Sequence, residues 1–248
     1  MNNRQLVKWT VQNSIGILTI SNKPENYLEK PEFVNLAQLK KWTSDDSLKG
    51  LIIHGDGRHF SAGANINNIY HLAGDKNYLK TNLDKGKAVL NYIENLNIPT
   101  VAAITGTCFG GGLEIALACH IRVCSKNSLF AAPETNHNLM PGLSGTIRLP
   151  KLIGKKESLE MILIGDIINA EKALEIKLVD YVIQSKDVIN FSVELITKMT
   201  EARPANVISY VIRSINNAKH LNPSDAMKEE TKMFCKLALD AVKEDIIS

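Results

Sequence analysis

The spacing of apolar and polar residues changes several times along this chain, and the changes mark out its elements. Val7 to Thr10 and Ile15 to Ile20 are rich in β-formers on either side of Gln12-Asn13-Ser14, which predicts a hairpin. Pro24 and Pro31 interrupt regular structure. Phe33, Val34, Leu36, Leu39 and Trp42 then fall on one face of a helix over 32–42. Leu51 to His54 predicts a short buried strand, which runs through a loop ending in Gly63-Ala64-Asn65-Ile66 into a helical stretch. Residues 79–96 are amphipathic, with Leu83, Val89, Leu90 and Ile93 among the apolar positions. The run Pro99 to Ile104, the stretch Gly106 to Glu114 and the run Leu113 to Cys119 read as strand, tight loop and helix start. Ile121 to Cys124 predicts a strand, Phe130 to Glu134 a short extended piece, and Met140 to Thr146 a turn. From Ser158 the pattern is mostly helical (158–164, 170–176, 188–200, 206–219 and 223–244), broken by a strand-like Leu178 to Ile183.

Strands alternating with helices over 50–135 predict an α/β architecture with right-handed crossovers. The expected organisation is an α/β core over 1–190 and a helical C-terminal region over 191–248, with no fixed repeat and no long linker.

Composition narrows the function classes. A chain of 248 residues with 44% hydrophobic content is long enough for a full core. Its formal charge of +3 is spread along the sequence without a basic block, which argues against nucleic acid as a partner. Cys108, Cys119, Cys124 and Cys235 form no C-x-x-C pair and no accompanying His pattern, so neither a metal site nor a disulfide framework is expected. The N-terminus carries no apolar export segment, and no apolar run reaches membrane-spanning length. A soluble, cytoplasmic protein is expected.

The chemistry concentrates at Gly110-Gly111-Gly112-Leu113-Glu114. Three residues without Cβ let a ligand approach bare N–H groups at the positive end of a helix, a ready site for negative charge. Glu114 sets a carboxylate beside that site, which points to acid-base chemistry. The plain alternative is a solvated Glu near a helix N-terminus, where acidic side chains are stabilised anyway. The loop ending at Gly63-Ala64 has the same form. If the two preceding strands are neighbours, both loops lie at one end of the sheet, and an N–H from each can meet at a single oxygen.

These residues resemble the crotonase family, also called the enoyl-CoA hydratase/isomerase family. His59-Phe-Ser-Ala-Gly-Ala64-Asn65-Ile66 is similar to its first oxyanion motif, and Gly106-Thr-Cys-Phe-Gly-Gly-Gly-Leu-Glu114 to its second. Pro133-Glu134, followed by Pro141-Gly-Leu-Ser-Gly-Thr-Ile-Arg-Leu149, is similar to a third segment of the family's hydratases. The resemblance implies a spiral of ββα units followed by a trimerising helical region, a homotrimer or a hexamer, acting on acyl thioesters. It implies that the Ala64 and Gly111 N–H groups hold the thioester oxygen, that Glu114 activates water for attack at C3, and that protonated Glu134 delivers a proton at C2. Ala62, Gly63, Gly110, Pro141, Gly142 and His137 become expected substrate-binding residues. No bound cofactor is implied, because the acyl group arrives on coenzyme A or on phosphopantetheine.

Several positions depart from the family. Asn65 and Asn67 stand where Asp and Lys are common, and Lys23 to Pro31 lacks the usual nucleotide-side run. The C-terminal tail that supplies a Lys to a neighbouring subunit in some relatives is missing as well. An acyl carrier protein, which needs fewer nucleotide contacts, is therefore an alternative partner to acyl-CoA. His137-Asn138 replaces small or apolar residues near the expected pocket, where a polar side chain would recognise an oxygen-bearing or branched acyl group. Within the fold, a double-bond isomerase or a decarboxylase needs only one carboxylate, so both Glu residues together favour hydration. Other classes are a serine hydrolase through Ser61 or Ser144, neither in a G-x-S-x-G elbow, and a silent assembly subunit.

Overall fold

The computed structural model describes residues 6–184 and 187–247. In chain order they form β1 (Val7–Gln12), β2 (Ile15–Ile20), α1 (Leu36–Thr43), β3 (Gly50–Gly55), α2 (Ile66–Ala73) and α3 (Lys76–Glu94). Next come β4 (Thr100–Ile104), β5 (Thr107–Phe109), α4 (Gly111–Ala118), β6 (Ile121–Ser125), β7 (Leu129–Ala131) and a 3₁₀ turn, Pro133–His137. The remainder is α5 (Gly145–Ile153), α6 (Lys155–Ile164), β8 (Ile168–Asn169), α7 (Ala170–Glu175), β9 (Tyr181–Ile183), α8 (Val188–Thr200), α9 (Ala205–His220) and α10 (Pro223–Ile247).

The order of strands in the larger sheet is β1-β2-β3-β4-β6-β9. β1 and β2 form the expected antiparallel hairpin, and the other pairings are parallel. Asn13 and Ser14 both take positive φ at its tip, the geometry that a two-residue turn between right-twisted strands requires. β3 and β4 read as unbroken apolar runs because both faces of the sheet are covered. Leu51, Ile53, Ala102 and Ile104 pack on one side with Val89, Leu90 and Ile93 of α3 and Ile115 of α4. Ile52, Val101 and Ala103 pack on the other with Val188, Val193 and Ile196 of α8. α8 thus crosses residue 190 and closes the second face of the core sheet.

A smaller sheet, β5-β7-β8, stands beside the first. β4 enters the large sheet, β5 the small one, and α4 follows; β6, β7 and the 3₁₀ turn repeat that course. Ser61, bridged to Cys108 in β5, gives β3 the same sequel before α2. These are successive turns of a ββα spiral. The sequence pattern read Gly106–Glu114 as one loop and did not register β5 or β8, since strands of three and two residues carry too few positions to show a period. Among the described residues no helix is long and apolar enough to cross a membrane.

Candidate active site

β3 and β4 are parallel neighbours, with Leu51 opposite Thr100, so the chain leaves both at the same end. The two loops are then stitched together. Phe60 N–H donates to Thr105 O (2.8 Å), Ser61 N–H to Thr107 O (3.1 Å), and Phe109 N–H to Ser61 O (3.0 Å). Three residues beyond the Ser61–Cys108 pair on each strand lie Ala64 and Gly111. Missing side chains make this approach possible: a Cβ on Gly63 would stand 2.7 Å from Phe109 O, and one on Gly112 2.7 Å from Ser61 O. Of the three consecutive glycines only Gly110 takes positive φ (48°), so Gly112 is needed for close packing and not for its backbone angle. Among the described residues, the Ala64 and Gly111 N–H groups have no protein acceptor. Gly111 opens α4, so its N–H stands at the positive end of that helix.

The first loop is braced by a segment that motif reading had treated only as lacking a nucleotide-side run. Asn26 is fully buried and donates through Nδ2 to Asp56 O (3.1 Å) and His59 O (2.7 Å). Leu28 N–H donates to Gly63 O (2.8 Å), and Asn65 N–H returns to Leu28 O (3.2 Å). Asn26 has φ of 53°, a conformation that Asn adopts more readily than most residues.

Glu114 is 4% exposed. Its Oε1 accepts from Leu143 N–H (2.7 Å) and Gly145 N–H (2.6 Å). Burial pushes its carboxyl from 4.5 up to about 7, with the Glu134 charge adding to the rise; the two N–H donors and Arg148 act against it. Glu134 sits in the first turn of the 3₁₀ segment, started by Pro133. Burial pushes its carboxyl up as well. Its Oε2 is buried without a partner among the described residues. A Cβ on Gly110 would lie 3.1 Å from its Oε1, so that glycine leaves room for the second carboxylate.

Both carboxylates, Ala64, Gly111 and Gly142 line one cavity of about 150 Å³. Its other walls are chiefly aliphatic, from Ile66 and Ile69 of α2, Leu79 and Leu83 of α3, and Leu139 and Met140 after the 3₁₀ turn, with Lys30 adding one cation. Of these, Ile66 closes the first motif and Leu79 and Leu83 belong to the amphipathic run 79–96, whereas Ile69, Leu139 and Met140 carried no site signal in the sequence. Ala62, Gly63, Gly110 and Pro141 lie beside the cavity residues in the chain but not on its lining. The Ala62 N–H is committed to Glu25 O (2.9 Å). His137 is exposed and also off the lining, with its carbonyl accepting from Tyr70 Oη (3.2 Å). The chain reverses at Asn138, φ 56°, so Leu139 and Met140 reach the cavity instead of the imidazole.

A profile of the enoyl-CoA hydratase/isomerase family matches residues 10–247. The chain belongs to that family. It is 34% identical over 232 residues to a probable enoyl-CoA hydratase of Bacillus subtilis, covering 92% of this chain and 88% of that one. It is 44% identical over 161 residues to the fatty acid oxidation complex subunit alpha of Idiomarina loihiensis, but that match spans 63% of this chain and only 22% of the longer protein. Among solved structures, Pseudomonas aeruginosa DspI superposes with a TM-score of 0.86 at 28% identity, covering 96% of this chain and 90% of the other. The hydratase/isomerase fold is thus established for a chain whose two motif loops meet at one cavity.

Proposed function

We propose that this family member adds water to, or removes it from, a 2-enoyl/3-hydroxyacyl thioester, with coenzyme A as the principal carrier. The observation that carries the reading is a buried carboxylate oxygen, Glu134 Oε2, that has no partner among the described residues and lies on the same small cavity as Glu114 and two main-chain amides likewise without an acceptor there. Two carboxylates this poorly solvated do not both ionise readily, so the pair carries one proton near neutrality. Leu143 and Gly145 N–H both donate to Glu114 Oε1, which favours charge there, and on that ground we assign the shared proton to Glu134.

Hydration then runs as follows. Glu114 takes a proton from water as the water oxygen bonds to C3, and the π electrons move to the thioester oxygen, where the Ala64 and Gly111 N–H groups meet the negative charge. Glu134 gives its proton to C2 as the enolate collapses. Glu114 ends protonated and Glu134 ionised, and solvent exchange resets them. Losing one such amide donor typically costs about 3 to 4 kcal/mol of barrier. Mixing the protein with crotonyl-CoA and following loss of the conjugated-thioester absorbance tests the reading. Turnover is expected; silence with both coenzyme A and carrier-protein thioesters would favour an assembly role.

An isomerase or decarboxylase would leave one of the two carboxylates idle. A serine hydrolase is disfavoured, since Ser61 Oγ donates to Asn26 O (2.7 Å) and accepts from Gly63 N–H (3.1 Å) in a fully buried position. The assembly we expect is a homotrimer or a pair of trimers. Val211 and Ile215 of α9 and Phe234 and Leu239 of α10 are more than half exposed, a surface suited to further copies. Light scattering after size exclusion reads the stoichiometry.

A further inference from the structure

Behind the loop that holds Glu114 stands a buried guanidinium that the proposed chemistry does not touch. Arg148 of α5 is 7% exposed, and each of its three side-chain nitrogens donates to a protein acceptor. Nη1 donates to Leu143 O (3.0 Å), Nε to Glu94 Oε2 (3.0 Å), and Nη2 to Asn91 Oδ1 (2.7 Å) while also pairing with Glu94 Oε2 (2.9 Å). Leu143 is therefore gripped at both ends, its carbonyl by Arg148 and its N–H by Glu114. Glu94 is the last residue of α3, where the helix dipole disfavours a carboxylate, and Arg148 offsets that repulsion. Buried ion pairs rarely add stability over apolar packing, so a pair spent on one loop carbonyl calls for a geometric reason.

We propose that Arg148 is a positioning residue for Glu114: clamped to Glu94 and Asn91 on α3, it holds Leu143 so that the Leu143 and Gly145 amides fix one carboxylate oxygen and leave the other facing the cavity. The inference rests on the hydratase reading for its kinetic consequence only. The charged groups around Glu114 are Glu134 from the 3₁₀ turn and Arg148 from α5, with Glu94 of α3 behind the latter, and Lys30, which lines the same cavity from the segment before α1. β4 and β5 present no charge, only the buried Cys108 thiol, which burial keeps protonated. Arg148 is the cation fixed behind the Glu114 loop, its charge favours ionised Glu114, and its removal raises the Glu114 midpoint further.

The test uses Arg148→Met and Arg148→Lys in the full chain. Arg148→Met is expected to lower kcat about 10- to 100-fold with KM within about twofold, and to move the ascending limb of the pH–rate profile up by roughly half a unit or more. Arg148→Lys keeps the charge and loses the fork, so kcat is expected to fall about tenfold with the limb in place. A purely structural arginine would lower the melting temperature and leave kcat and the limb of the folded fraction unchanged, which overturns the proposal. If Arg148→Met does not fold, Arg148→Lys decides: a tenfold loss supports the clamp and wild-type kcat sinks it. If the wild type itself turns over no thioester, the hydratase reading fails alone, and ¹³C-carboxyl NMR titration of Glu114, assigned with Glu114→Gln, replaces the rate. A higher midpoint in the Arg148 variants then supports the inference, and an unchanged one overturns it.

Discussion

Glu114 and Glu134 are the same residue type on the same cavity, yet their surroundings differ in kind. Glu114 comes from a fully buried helix, and two main-chain amides from the 143–145 turn hold one of its oxygens. Glu134 comes from a 3₁₀ turn and has a buried oxygen with no donor among the described residues. Burial raises both carboxyls; two main-chain donors from the 143–145 turn act against it at Glu114, and at Glu134 its own main-chain N–H does. In the proposed mechanism the two donors from the 143–145 turn, not residue identity, set the base apart from the acid.

The largest expected effect comes from removing each charge in turn. Glu114→Gln and Glu134→Gln should each lower the hydration rate by at least about 10²-fold if one serves as base and the other as acid. Steady-state rates on crotonyl-CoA check this, and an unchanged rate for either variant would break the two-role comparison.

Stability should move in the opposite direction from activity. Between pH 4.5 and about 7 the folded chain keeps a proton on Glu114 that the unfolded chain has lost. Stability therefore falls as pH rises through that window, by on the order of 3 kcal/mol from this group, and Glu134 adds a loss of the same sign. Glu114→Gln lacks the ionisation and should be more stable than wild type at pH 8, with the two converging near pH 4. Urea unfolding at both pH values reads the difference, and stability that climbed from pH 5 to 7 in the wild type would contradict the raised carboxyls.

Two glycines sharpen the comparison, because each abuts one carboxylate. A Cβ on Gly145 would lie 3.0 Å from Glu114 Oε1 and 2.9 Å from Pro141 Cβ, whereas one on Gly110 would lie 3.1 Å from Glu134 Oε1. Gly145→Ala and Gly110→Ala should each reduce kcat by roughly tenfold, the first through displacement of Glu114 and the second through displacement of Glu134 together with strain at the positive φ of residue 110. If both variants match wild type in kcat, the carboxylates tolerate displacement and the geometric account fails. The smallest effect belongs to His137→Ala, expected within about twofold in kcat/KM across straight and branched acyl chains, as for a surface change away from the site. A branched-chain preference abolished by that change would return His137 to the pocket.

Much of the site was legible before any coordinates. Glycines ahead of Glu114 marked a helix start with open amides, and the apolar runs at 51–54 and 99–104 marked buried strands. A glycine run and an apolar run are local properties, fixed by φ freedom and burial, so order along the chain suffices to read them. Other features depended on long-range pairing. The Ser61–Cys108 bridge aligns Ala64 with Gly111, and a slip of one residue would separate them. The Asn26 brace, the aliphatic wall and the outward His137 likewise follow from segments dozens of residues apart being packed together. The sequence by itself determined which groups are available for catalysis, because chemistry belongs to residue types. Only the tertiary structure decided which of them share a cavity and which oxygen has a donor, because proximity and desolvation arise when distant elements meet.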